Sequence, residues 1–387
     1  MRAYARVDEE RVHGQAQVRR WMRAGLLSPS QGAELEADLR VDLRRTNRAL
    51  RVGLALFTAM IVAASVLWVV TFFDIGGRWA IAAIDALAAL ACVAIAERAV
   101  SVLRFYRHGV EEALFAAAVV LLSISAIEIP ALDQDGRAVC ALAIGAAGGF
   151  LTYRRLGLVA AAIAGMACAA GIPFQLHLAP NAQSALATAT LVIVFRVMRA
   201  KRLGAVDDVQ GEEYAALQAA SWFGVYLAVN IQAMRALDLF GPGAAPVRDW
   251  FFWGTFAGIW ILPVVGLRLG IRAKDRPLID VSLMMAVVTC ASVKPYLGWT
   301  REPWDPVVLG TLLIGGAVVL RRWLASGPNG ERFGFTPVRR LESNRDLATL
   351  IGVASAGFQP HGAAPPAAPP SDFAGGRSGG GGGGAGF

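Results

Sequence analysis

The chain has 387 residues, 56% of them hydrophobic and only 17% charged, with a mean hydropathy of +0.50. A soluble globule of this length has no use for so much apolar surface, so the sequence reads as an all-α integral membrane protein, a polytopic transmembrane helical bundle. Lys and Arg total 37 against 29 Asp and Glu, and the net charge of +8 falls in short segments between apolar runs, which fits orientation signals better than a nucleic-acid interface.

Residues 1 to 48 read as a cytoplasmic helical hairpin. MRAYARVDEE has no apolar stretch ahead of a cleavage site, so insertion is expected to use the first span. In RWMRAGLLSPSQGAELEADL, Gly25 can end one helix in a left-handed residue. Ser28, Pro29 and Gln31 then start the next as N-cap, first and third positions. Val18, Trp21 and Met22 make an apolar stripe on the first helix, and Leu35, Leu39 and Leu43 repeat at four-residue spacing on the second. Two such helices can close on each other but cannot build a large core. The hairpin must therefore lean on the cytoplasmic loops, the lipid surface or a second copy, and Trp21, Met22, Leu35 and Leu39 are its expected interaction surface. Arg40, Arg44, Arg45, Arg48 and Arg51 precede the first span, where they can touch anionic headgroups.

The aromatic first helix, the turn AGLLSPSQ and the amphipathic second helix, over roughly residues 15 to 45 and with many spans behind, resemble a family of predicted bacterial membrane proteins. That family is described only as a domain of unknown function. The resemblance implies class and location and transfers no catalytic residue.

The membrane bundle is expected over 49–324. A span needs about 20 apolar residues, and ten segments qualify: 52–73, 79–96, 113–130, 138–153, 156–176, 184–199, 214–233, 250–268, 277–294 and 306–323. The fourth and sixth are the short ones. With the N-terminus inside, the inner loops hold Arg98, Arg104 and Arg107, then Arg154 and Arg155, then the cluster from Arg196 to Arg202, then Arg268, Arg272, Lys274 and Arg276. The outer loops hold fewer cations, diluted by Asp and Pro, so both termini are expected on the cytoplasmic side; that the membrane is a bacterial inner membrane is what the resemblance implies. Gly145 with Gly149, and Ala161 with Gly165 and Ala169, stack small residues for close helix packing.

Ionisable groups inside spans are costly and therefore candidates for function. Asp85 lies about a third of the way into its span, Glu128 near the end of the third, and Asp280 three residues past Pro277. Asn230, in YLAVNIQAM, could assist a carboxylate or join two helices. One reading is a proton- or cation-coupled secondary transporter using these groups. A division into five plus five inverted spans, with Pro130 and Pro263 interrupting the third and eighth late, would suit it. The preferred reading is a non-enzymatic membrane protein whose hairpin serves self-association or binds a cytoplasmic partner. The chain has no P-loop, HExxH or GxSxG motif. Cys92, Cys140, Cys168 and Cys290 sit in apolar runs as small hydrophobes, and His13, His108, His177 and His361 are scattered, so no metal or other cofactor is expected. Residues 325–357 are a cytoplasmic segment in which Val338, Leu341, Leu347, Leu350 and Ile351 could face the membrane surface, and 358–387 is a Pro/Ala/Gly-rich tail expected to be disordered.

Overall fold

The computed structural model describes residues 3–23, 26–204, 208–236, 250–300 and 302–327. Gly25, the proposed surface segment around Val338 to Ile351, and the Gly-rich tail lie outside the described residues. The chain divides into two compact units, 1–302 and 303–387.

In the first unit α1 (Arg6–Arg23) and α2 (Pro29–Asp38) form the hairpin. They are followed by α3 (Arg48–Phe72), α4 (Arg78–Ser101), α5 (Val110–Ile127), α6 (Gln134–Leu156) and α7 (Val159–Gly171). After a 3-10 turn, Ile172–Gln175, come α8 (Pro180–Leu203), α9 (Asp208–Val229), the short α10 (Ile231–Ala236), α11 (Trp250–Ala273) and α12 (Arg276–Leu297). In the second unit the described helix is α13 (Asp305–Ala325). Among the described residues, eight helices are long and apolar enough to cross a membrane: α3 to α6, α8 and α11 to α13. The protein is a multi-pass membrane protein of the all-α class.

The fifth and seventh segments are the broken ones, not the fourth and sixth. α7 has 13 residues before the chain tightens at Pro173, and α9 stops at Val229, with Asn230 between it and α10. The fourth and sixth become helices of 23 and 24 residues. Apolar windows stop at the first charge, but the helices continue through Asp135 and Arg137 at one end of α6, Arg154 and Arg155 at its other end, and Arg196 to Arg202 in α8. Long cationic side chains reach the interface while their backbone stays helical. Neither proline interrupts its helix as expected: α5 ends at Ile127, before Pro130, while α11 continues through Pro263.

Interhelical ion pairs and hydrogen bonds show which ends lie together. At one face the start of α3 meets the start of α5 through Arg51 and Glu112, with Nε to Oε2 at 2.8 Å. There, too, the ends of α4 and α6 meet through Glu97 and Arg155 at 2.7 Å. The end of α8 meets the start of α12 through Arg202 and Asp275. The hairpin sits on this side, here called the hairpin face. At the far face Arg78 at the start of α4 pairs with Glu128 at the end of α5, 2.9 Å apart. The two halves do not repeat their neighbour order: α5 packs between α4 and α6, whereas α9 packs chiefly on α8 and α12.

Small residues set the closest approaches. A Cβ on Gly149 would come within 2.5 Å of the Ala161 carbonyl and 2.8 Å of Gly165 Cα, so α6 and α7 touch backbone to backbone there. Gly109 has φ +103°, and a Cβ on it would strike the Arg51 carbonyl at 2.2 Å. Glycine is required at that position both by conformation and by space.

Candidate functional site

The second helix of the hairpin starts as its capping residues specify. The Ser28 hydroxyl accepts from the Gln31 N–H, and the Gln31 side chain accepts from the Ser28 N–H at 3.0 Å, a reciprocal cap with Pro29 in the first turn. Gly32 lies against Met22 and Gly14 against Leu39, so the two helices close through glycine-to-side-chain contacts. Arg19 and Glu36 bridge them at 2.7 Å, and the Gln15 amide donates to the Leu39 carbonyl at 2.7 Å. The expected surface therefore splits. Met22 and Leu39 are consumed in closing the hairpin, while Trp21 and Leu35 stay 42% and 38% exposed.

The second helix ends sooner than its leucine repeat predicts. α2 stops at Asp38, and residues 40 to 47 run on without helix. The Arg44 N–H donates to the Arg104 carbonyl at 3.0 Å and the Tyr106 N–H to the Arg44 carbonyl at 3.1 Å, an isolated bridge between this segment and the loop joining α4 to α5. That pairing competes with helix and wins, and it turns Leu43 into the core at the ends of α4, α5 and α6. Tyr4, Tyr106, Val100, Leu114 and Leu156 share this core, and the Ala3 N–H reaches the Arg155 carbonyl at 2.7 Å. Of the possible supports for the hairpin, the chain uses the hairpin-face ends of its own spans. Burial, together with Glu111 and Glu112 nearby, pushes the Tyr4 phenol well above its ordinary range.

Of the intramembrane candidates, Asp85 and Glu128 lie toward the far face on the packed helices α4 and α5, while Asp280 lies at the opposite face. Asp85 is 4% exposed on α4, about 10 Å along the helix from its far-face start, and makes no hydrogen bond or ion pair among the described residues. Glu128 is engaged by Arg78 at the far face. Asp280 is exposed in the first turns of α12, at the hairpin face. Asn230 belongs to a different cluster. Its amide donates to the Ser292 hydroxyl at 3.0 Å and the Tyr226 hydroxyl at 3.2 Å, and its carbonyl oxygen accepts from the Ala233 N–H at 3.1 Å. The Tyr226 and Thr289 hydroxyls lie 2.9 Å apart, and the Tyr296 hydroxyl accepts from the Ile231 N–H at 2.9 Å. These groups satisfy the backbone freed where α9 stops and lock it to α12. Asn230 joins helices there, and none of its side-chain hydrogen-bond partners is a carboxylate.

Sequence reasoning did not single out Tyr226, Thr289, Ser292 and Tyr296, whose hydroxyls repeat on one side of their helices, or the buried Glu111 and Asp275. The Glu111 Oε1 accepts from the His108 N–H at 2.7 Å, and its Oε2 is buried without a hydrogen bond. Both acids flank apolar runs, where the only available signal reads as a solvated helix end. Among the described residues no group of His, Cys, Asp and Glu could hold a metal ion, and the four cysteines are free thiols, Cys92 buried, Cys140 and Cys168 half-buried and Cys290 exposed.

No family model, no curated protein and no solved structure matches the chain.

Proposed function

We propose that this is a non-catalytic membrane protein of the bacterial inner membrane, both termini cytoplasmic, whose hairpin is a fixed display surface for self-association or for a cytoplasmic protein. One observation carries the reading: the hairpin is anchored to the spans through Ala3, Tyr4, Leu43 and Arg44, while Trp21 and Leu35 stay exposed. Exposed Trp and Leu side chains on an otherwise polar hairpin are groups a protein contact would use. The excess of Arg and Lys in the hairpin-face loops supports the orientation, and the turn motif's resemblance to a bacterial membrane family supports the location.

The test is a full-length chain carrying Trp21→Ser and Leu35→Ser, compared with the parent for oligomeric mass and co-purifying proteins. Deleting residues 1 to 48 is a poorer test, because it also removes Tyr4 and Leu43 from the core. The reading requires the double variant to lose its partners or its association while keeping its thermal stability, and unchanged mass and partners would remove it.

Asp85 favours a second reading, proton- or cation-coupled transport, because a buried carboxylate without a hydrogen bond is costly unless it is used. Cation-driven uptake in liposomes that disappears with Asp85→Asn would establish it.

A further inference from the structure

We infer that the groove between α4, α5 and α6 is a binding site for one anionic phospholipid, its acyl chain between the helices and its phosphate on Arg154. The groove encloses about 500 Å³. Its walls are Val93 from α4, Phe115, Val119 and Leu122 from α5, and Leu151 from α6, so it offers hydrocarbon to hydrocarbon. Gly148 sets its floor: a Cβ there would come within 2.6 Å of Val119, and this close approach leaves a cleft beside the contact.

The mouth of the groove is polar and of one sign. Arg154 and Arg155 both line it, roughly 9 Å further along α6 toward the hairpin face than Gly148. They are not equivalent. Arg155 is committed to Glu97 by two hydrogen bonds. Arg154 lies 5.8 Å over the Phe150 ring and has no carboxylate partner among the described residues. Its guanidinium is thus held at headgroup depth with its N–H donors available, which is the donor set for a phosphate. A zwitterionic lipid would fill the same cleft but bring a second cation toward Arg154. Charge complementarity therefore selects a lipid of net negative headgroup, consistent with basic pockets between spans.

The experiment is native mass spectrometry of the full chain titrated with phosphatidylglycerol and phosphatidylcholine of matched chains, with diacylglycerol and glycerol phosphate as the halves of the ligand. The expected result is preferential retention of one phosphatidylglycerol, with neither half binding comparably. Arg154→Gln should lower that retention about fivefold, the worth of one cation at the membrane surface, and Arg154→Lys should keep most of it. Val93→Trp, which fills the cleft, should lower retention of both phospholipids. Equal retention of the two phospholipids, indifference to Arg154→Gln, or glycerol phosphate binding as well as the whole lipid would each overturn the assignment.

Discussion

Tyr4 meets Tyr106 edge to face, ring centroids 4.7 Å apart and planes 70° apart, so the start of the chain is fastened to the loop between its second and third helical spans-to-be, α4 and α5. This contact makes the hairpin part of the membrane unit. Tyr4→Ala should remove an aromatic side chain from a packed site and cost about 3 kcal/mol. The expected outcome is faster amide hydrogen exchange through α1 and α2, with exchange in α8 and α9 unchanged.

The same residue predicts a pH dependence. The folded Tyr4 phenol loses its proton less readily than a free one, whose ordinary value is 10.0. A group raised on folding contributes stability that is complete below the unfolded value and is lost as pH rises above it. Docking of the hairpin should therefore hold to about pH 10 and weaken beyond, and Tyr4→Phe should flatten that part of the profile. Proteolysis between α1 and α2 as a function of pH measures it.

Arg202 and Asp275 form an ion pair at the hairpin face, with Arg202 partly exposed and the Asp275 side chain wholly out of solvent. Removing only the cation leaves a buried carboxylate uncompensated. Arg202→Ala should lower stability by about 3 to 5 kcal/mol, and adding Asp275→Asn should recover part of the loss. A thermal unfolding series of parent, single and double variants gives the coupling.

Asn230→Ala should leave the Ala233 N–H and the Ser292 hydroxyl without their partner. The cost is about 1 to 3 kcal/mol. On the helix-joining account it appears in thermal stability and in exchange of α10, and does not depend on whether Asp85 carries Asp or Asn.

Much of the fold was legible because it rests on local chemistry. The Ser28 to Gln31 cap follows from four residues, and the apolar runs found the segments that become spans. Their ends were not legible, since α6 and α8 continue helical through charges at which an apolar window halts. Leu43 shows the other limit of local reading: its spacing from Leu39 is helical, yet backbone pairing of Arg44 with the loop at Arg104 to Tyr106 outweighs propensity. In the candidate site, Asn230 stood out as a polar residue in an apolar run. Its partners Ser292 and Tyr296 lie more than 60 positions along the chain, and only packing of α9 on α12 brings them together. Arg202 read as an ordinary loop charge and Asp275 did not stand out, because the burial of Asp275 comes from the helices around it.

The most direct test of the display surface is photo-crosslinking in intact cells, with a photoreactive amino acid placed at position 21, at position 35 or, as the inward-facing control, at position 18, where Val18 is buried. The account predicts discrete higher-mass adducts, to a second copy or to another protein, from positions 21 and 35 and none from position 18. Absence of protein adducts from both exposed positions would contradict it.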